Sequence, residues 1–242
     1  MNNNVKTNII LVENEAFGTP NYEVVRAFLY MVEMNMITAL ECPFFSTPKC
    51  FVSYREECPM CAKDGDNLNV YLNVKDNYWC QWVYQFAHEY CHCLINGSLS
   101  GNWSPMLWFE ETLCELSSMY NLYRMVGFCE ERGLKNYSSS VQEYLNNLLT
   151  KSDNVFKLSN EGGWYQGYKE LLSTEHYNRE LYNAIAVLMY PHFIENPRLW
   201  RIILNIGDIR SWRSIDELFV HLEANTEASY SDSWRNIQMF FI

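Results

Sequence analysis

Two histidines and a glutamate in the segment His88-Glu89-Tyr90-Cys91-His92 have the types and the spacing of a hydrolytic metal site. Residues four apart lie one turn apart on the same face of a helix, so His88 and His92 can bind one zinc ion together. Glu89 is rotated by about 100° from His88 around the helix axis, and it can therefore act as a general base without being a ligand. The sequence predicts a site for one zinc ion with Glu89 as its catalytic base.

The position of the histidines around the predicted helix supports this interpretation. Apolar residues of the helix form one stripe, and both histidines lie on the opposite side, together with two glutamines. Histidines that only fill a hydrophobic core would be expected within the stripe. The stripe consists of Trp79, Trp82, Val83, Phe86, Tyr90, Cys93 and Leu94.

Catalytic zinc sites usually have three protein ligands, and the best candidate for the third lies on a second predicted helix. Ser104 is a suitable N-cap for that helix, and Pro105 suits its first position. Glu111 faces away from the apolar stripe of this helix, whereas Glu110 lies at the edge of the stripe. Glu111 is therefore predicted to be the ligand. Glu115, one turn later, is predicted to accept a hydrogen bond from the ring N–H of a ligand.

Together the two segments resemble the gluzincin metallopeptidases, especially the group similar to zinc aminopeptidases. That family carries HExxH, then eighteen residues, then a glutamate in a W-x-x-E context. Here residues 93–110 are the eighteen, and Trp108 and Glu111 match the tryptophan and the glutamate. The resemblance covers roughly residues 50 to 195. It implies a zincin-like metallopeptidase domain of minimal gluzincin type.

The resemblance also implies a tyrosine that stabilises the oxyanion of the tetrahedral intermediate. In the family this tyrosine begins a helix, in a Y-x-K-G-x-x-x-L context that the segment from Tyr182 to Leu188 resembles loosely. Tyr182 is therefore the expected catalytic hydroxyl, and Tyr177 and His176 are the alternatives. A role of Tyr182 in packing alone is equally compatible with the pattern.

The expected peptidase subtype follows from a missing segment. Aminopeptidases of this type carry a G-x-M-E-N segment that binds the free amine of the substrate, and nothing similar precedes Tyr78. An endopeptidase or oligopeptidase acting on a peptide or protein substrate is thus expected over an aminopeptidase. The strand from Leu68 to Val74 stands where the family has its substrate-binding edge strand, and such an edge can pair with an extended peptide.

Nine cysteines, an odd number at scattered spacings, argue against a complete disulfide framework and favour a reducing compartment. Cys58 and Cys61 form a CxxC that could build a second metal site with Cys42 and Cys50, but without a second CxxC ordinary thiols are favoured. Cys91 is expected to pack beside the histidines. These cysteines also leave open a thiol-based redox or metal-sensing protein.

The order of the predicted elements is strands first and helices later, which indicates an α+β fold with a small N-terminal mixed sheet and a mostly helical C-terminal part. Residues 1–127 are expected to contain the sheet and both motif helices, and residues 128–242 a helical part of the same compact unit. The predicted strands lie near 8–13, 50–54 and 68–74, and the predicted helices near 22–41, 78–96, 105–127, 137–150, 164–173, 178–195 and 212–224.

Charge and hydropathy limit the partners. The net charge of -11 and the pI of about 4.9 oppose binding to nucleic acid and to anionic membranes. No stretch approaches about 18 consecutive apolar residues, and no apolar signal segment follows Met1, so a cytoplasmic protein is expected. The sequence leaves the oligomeric state open. It also leaves a second functional hypothesis, a catalytically inactive zinc-binding interaction protein of the same fold.

Overall fold

The computed structural model describes residues 7–42, 47–95, 104–150, 163–175, 177–207, 209–225 and 231–241. Its strands are β1 (Ile9–Leu11), β2 (Cys50–Tyr54), β3 (Met60–Asp64) and β4 (Asn67–Leu72). Its α-helices are α1 (Tyr22–Leu40), α2 (Trp79–Ile95), α3 (Leu107–Glu131), α4 (Lys135–Thr150), α5 (Trp164–Thr174), α6 (Arg179–Glu195), α7 (Ile215–Asn225) and α8 (Ser231–Gln238). Short 3₁₀ helices cover Glu15–Phe17, Pro197–Asn205, Ile209–Ser211 and Met239–Phe241.

The four strands form one mixed sheet in the order β1-β2-β4-β3. β2 pairs in parallel with both β1 and β4, whereas β3 runs antiparallel to β4. The edge position predicted for the strand from Leu68 to Val74 is therefore wrong, because β4 has a neighbour on each side. The edge beside β4 is β3, a strand that the sequence did not predict.

The alternating pattern that predicted β4 reflects its burial. Leu68, Val70 and Leu72 are buried on one face, and the asparagines and the tyrosine between them are half-buried. Helices α1 and α2 pack beside each other, and α2 also packs against β3 and β4. The helix that carries His88 and His92 is thus packed directly on the sheet.

Helix α1 shows how local chemistry sets the bounds of an element. The Asn21 side chain accepts hydrogen bonds from the backbone N–H groups of Glu23 and Val24, which caps the N-terminus. The helix ends at Leu40, and its C-cap residue Glu41 has a φ of 53°, in the left-handed region. The predicted bounds of 22–41 are close to those observed.

Helix α3 is the centre of the helical part, because it packs against α2, α4 and α6. Two buried serines of α3 fix its register on α2. Ser117 Oγ donates to the Ala87 carbonyl at 3.0 Å, and Ser118 Oγ donates to the Tyr84 carbonyl at 2.8 Å. These two hydrogen bonds hold together the two helices that carry the predicted ligands.

The α+β class, with a small mixed sheet and a mostly helical remainder, is confirmed. The predicted helices are present with ends shifted by a few residues, whereas α8 and the 3₁₀ helices were not predicted. The division between residues 127 and 128 falls inside α3. None of the helices in the part of the chain that the structure describes is long and apolar enough to cross a membrane.

Candidate metal centre

Helix α2 places His88 and His92 side by side, with ring centroids 5.1 Å apart. Both rings are buried, as is nearly every residue of α2 from Trp82 to Cys93, because the sheet and α1 cover one side of the helix and α3 the other. The histidines lie off the apolar stripe, as the periodicity indicates, and yet they face protein. Two buried imidazoles need polar partners, and α3 supplies them.

Glu111 of α3 faces the inner nitrogens of both histidines. Its Oε2 lies 3.3 Å from His88 Nε2, and its Oε1 lies 3.4 Å from His92 Nε2. Two ligand atoms that are each about 2.0–2.1 Å from a tetrahedral zinc ion are themselves about 3.3–3.4 Å apart. The structure thus brings all three predicted ligands together, with a different Glu111 oxygen beside the Nε2 atom of each histidine.

Glu110 holds the outer nitrogen of His92. His92 Nδ1 lies 2.8 Å from Glu110 Oε1, and the Glu110 side chain is completely buried. A carboxylate that accepts from the Nδ1–H of a histidine leaves Nε2 as the free electron pair for a metal. The sequence placed Glu110 only at the edge of the apolar stripe. Its role follows from its buried contact across the two helices.

Glu115 faces the outer nitrogen of His88 at a longer distance. His88 Nδ1 lies 3.8 Å from Glu115 Oε1 and has no hydrogen-bond partner within the described residues. Glu115 instead accepts hydrogen bonds from the Tyr84 hydroxyl and from Arg179 Nε, the latter at 3.2 Å. The structure therefore brings Glu115 beside His88, as predicted, but without a direct hydrogen bond.

The proton affinities of the site follow from these contacts. Burial lowers the pKa of both imidazoles, but hydrogen bonds to carboxylates outweigh it, so that the pKa of His88 is raised and the pKa of His92 is raised well above 6.5. Burial raises the pKa of Glu111, but its contacts with His88 and His92 lower the pKa below 4.5. Without a metal, the cluster is held together by protons that the imidazoles share with the carboxylates.

A buried cysteine adds a fourth possible donor. One ligand atom each of His88, His92 and Cys114 lie within 4.8 Å of one another, so this buried group can hold a metal ion. Burial, together with a hydrogen bond to Cys91, raises the pKa of the Cys114 thiol well above 9.0. Within the described residues, His88, His92 and Cys114 form the one group of possible ligands that lie close enough together to hold a metal ion.

The four cysteines considered for a second metal site differ in exposure. Cys50 is buried, Cys58 is exposed, and Cys42 and Cys61 are half-buried. Cys61, on β3, is hydrogen-bonded to Cys93 of α2. Since the compact donor group in the described part of the chain is the one at His88 and His92, these four cysteines form no such group there.

Glu89, the predicted base, is a buried residue of α2. A hydrogen bond to Cys93 and burial raise the pKa of the Cys61 thiol on β3, and the charge of Glu89 contributes to this rise. The charge of Glu89 also contributes to the raised pKa of His88, after the contact of His88 with Glu111. The role of Glu89 as a base stays a prediction.

Tyr182 is buried near the start of α6, and its hydroxyl donates to the Glu175 carbonyl at 3.1 Å. Burial raises the pKa of Tyr182, and the charge of Glu111 contributes to this rise. Tyr177 is exposed, and His176 lies outside the described residues. The role of Tyr182 in catalysis stays a prediction.

Four contributors to the site were not predicted in these roles: Tyr84, Glu110, Cys114 and Arg179. Tyr84 stands one turn before His88 on α2, which is a signal that the sequence contains. Arg179 is 64 residues from Glu115, and no local pattern connects them. The predicted capping of α3 is also wrong, since the helix begins at Leu107 and Ser104 Oγ accepts from the Met106 N–H within the preceding turn.

Comparison of the chain with protein-family models, with curated proteins and with solved structures finds no match. The function of the site is therefore inferred from its own residues.

Proposed function

We propose that this chain is a zinc-dependent peptidase of minimal gluzincin type, with zinc held by His88, His92 and Glu111. The observation that carries the proposal is the convergence of two imidazole Nε2 atoms on one carboxylate, at 3.3 and 3.4 Å. The contact between His92 Nδ1 and Glu110 adds support, because in the neutral ring it favours the tautomer whose Nε2 is free to bind an ion.

The donor set fits zinc. Imidazole and carboxylate ligands are typical of catalytic zinc sites, which keep a position open beside three protein ligands. A zinc ion held there would supply Lewis-acid chemistry, lowering the pKa of a water and polarising the scissile carbonyl. The sheet with its antiparallel edge strand, followed by the two helices that carry the donors, supports the zincin-like fold that the motif implies.

Three carboxylates of the site have separate roles in the proposed reaction. Glu89 accepts the proton of the attacking water and then gives it to the leaving amine. Glu110 keeps His92 in one tautomer throughout, and Glu115 holds the Tyr84 hydroxyl and Arg179 beside His88. For Tyr182 to donate to the oxyanion, its hydroxyl has to leave the Glu175 carbonyl.

The position of β3 favours an endopeptidase or oligopeptidase. β3 has a strand neighbour on the β4 side and, within the described residues, none on its other side. An extended peptide that pairs with this edge would pass near Glu89, whose charge contributes to the raised pKa of Cys61 on β3. Recognition of a strand by its backbone needs no free amine at the end of the substrate.

The test is turnover by Glu89→Gln with its metal content. Purified wild-type protein is expected to contain one zinc per chain and to cleave members of a peptide library in a chelator-sensitive reaction. Glu89→Gln is expected to keep its zinc and to lose cleavage by at least about a hundredfold. Glu143→Gln, which changes an exposed glutamate of α4, is the matched control and should cleave like the wild type.

Cleavage by Glu89→Gln at the wild-type rate would overturn the mechanism. A chain that binds no zinc would overturn the metal centre itself.

A catalytically inactive zinc-binding interaction protein of the same fold is the second candidate. It is favoured by the hydrogen bond between the Tyr182 hydroxyl and the Glu175 carbonyl, which commits that proton to the backbone. Stoichiometric zinc without any chelator-sensitive cleavage across the library would support this candidate over the peptidase.

A further inference from the structure

The buried group around His88 and His92 contains more donors than three. Glu111 and Cys114 are three residues apart on α3, so they are neighbours on one face of that helix. The ligand atoms of Cys114, His88 and His92 lie within 4.8 Å of one another, and Cys114 is completely buried. A carboxylate and a thiol of α3 therefore both approach the histidines of α2.

The sulfur of Cys114 lies beside a second buried thiol. Its thiol is hydrogen-bonded to Cys91, another buried thiol, and Cys91 Sγ itself approaches the Leu113 carbonyl at 3.7 Å.

We propose that Cys114 is a ligand of the bound ion, which makes the centre sulfur-containing and selective for thiophilic ions. The proposal rests on the proposed function, since it requires an ion at His88 and His92. On binding, the S–H bond of Cys114 breaks, a metal–sulfur bond forms, and the proton passes to solvent. Thiolate ligands favour Zn²⁺, Co²⁺ and Cd²⁺ over Mg²⁺ and Mn²⁺.

Sulfur ligation has a consequence for the resting state. If His88, His92, Glu111 and Cys114 all held the ion, it would have four protein ligands, the number typical of structural zinc sites. Access of a substrate would then require release of the Cys114 thiolate or an additional ligand position. A bound Cys114 would thereby restrict the access of a substrate to the ion.

The test is the absorption spectrum of the cobalt-substituted protein. Wild-type protein loaded with Co²⁺ is expected to show an intense near-ultraviolet band from thiolate-to-cobalt charge transfer. Cys114→Ser is expected to bind Co²⁺ but to lose the band. Cys91→Ser is the matched control, because Cys91 is buried and contacts Cys114 without belonging to the donor group, and it should keep the band.

Each outcome separates this proposal from the one on which it rests. Bound Co²⁺ without the band in the wild type, or a band that persists in Cys114→Ser, overturns sulfur ligation and leaves the metal centre intact. Absence of Co²⁺ and Zn²⁺ binding overturns both. If Cys114→Ser does not fold, X-ray absorption of the zinc-loaded wild type decides, since a sulfur ligand lies at about 2.3 Å and nitrogen or oxygen at about 2.0–2.2 Å.

Discussion

His92 and His88 stand one helical turn apart, yet the surroundings of their outer nitrogens differ. His92 Nδ1 makes a 2.8 Å hydrogen bond with the fully buried Glu110. His88 Nδ1 faces Glu115 at 3.8 Å, and this carboxylate is shared with Tyr84 and Arg179. The outer nitrogen of His92 is thus held by one short hydrogen bond. Glu115 has hydrogen-bond donors in Tyr84 and Arg179, but it makes no hydrogen bond with the ring of His88.

The difference follows from where the partners stand in the chain. Glu110 and Glu111 are adjacent on α3, and they contact the two nitrogens of His92. The environment of His88 also depends on Arg179 at the start of α6. Helix α6 has to pack on α3 before Arg179 can donate its hydrogen bond to Glu115. The His92 half should therefore be preorganised once α2 and α3 pack, whereas the His88 half should respond to the position of α6.

Acidification should have the largest effect on zinc binding, because each imidazole has to lose its proton before it can bind. Below the raised pKa values of His88 and His92, zinc affinity is expected to fall by on the order of tenfold per pH unit for each proton displaced. In the metal-free protein His92 should lose its proton at a higher pH than His88. Histidine-resolved NMR titration checks this order, and the reverse order would break the comparison between the two halves.

The same shifts give the metal-free protein a pH optimum of stability. The folded-state pKa of both histidines is raised, so their contribution is complete below about 6.5 and is lost as the pH rises through the raised values. The folded-state pKa of Glu111 is lowered, so its contribution is present above about 4.5 and is lost on acidification. Urea unfolding with chelator present should show the cluster most stabilising between about pH 4.5 and 6.5.

Replacing the two outer carboxylates should give unequal losses. Glu110→Gln removes the charge that is in direct contact with His92, and zinc affinity is expected to fall by about 10–100-fold. Glu115→Gln should lower the affinity by less than about tenfold, because its carboxylate does not bond the His88 ring. Competition against a chromophoric chelator measures both, with Glu143→Gln as the unchanged control. Equal losses would show that the two halves of the site are equivalent.

Tyr84→Phe should have the smallest effect on zinc affinity, because it removes a hydrogen-bond donor of Glu115 and changes none of the proposed ligands. It removes a hydrogen bond to a buried carboxylate, which is expected to lower the free energy of unfolding by about 1.5–3 kcal/mol. Tyr144→Phe is the matched control, since its ring contacts the Tyr84 ring edge-on, and its change should stay within about 0.5 kcal/mol. Urea unfolding of the zinc-loaded proteins measures both. A zinc affinity that drops as far as in Glu110→Gln would make the His88 half the dominant one.

Periodicity predicted the parts of the fold that repeat. The helix that carries the histidines was predicted at 78–96 and runs from Trp79 to Ile95, and β4 follows the alternation of its leucines and valine. β3 was missed because its residues, Met60 to Asp64, have no alternating pattern and stand beside a proline and a CxxC. Its strand form depends on pairing with β4, which lies across a two-residue turn.

The proximity of His88, His92 and Glu111 was predictable from helical geometry. Spacing and helix face indicate these residues because those properties are local, and their binding of a metal stays a prediction. The contact of Glu110 with His92 requires the crossing of α2 over α3, and the contact of Arg179 with Glu115 requires the docking of α6. Neither packing arrangement is encoded in a pattern along one helix.

Exposure differs sharply among the side chains of the site. Glu111 is 19% exposed, whereas His88, His92, Glu110 and Glu115 are at most 8% exposed. If an ion binds here, we expect it to enter and leave past this carboxylate, because the other four side chains are more deeply buried. Glu111 would then set how fast metal exchanges with its surroundings as well as how tightly it is held, and the lifetime of the bound ion would be decided by the motion of one side chain.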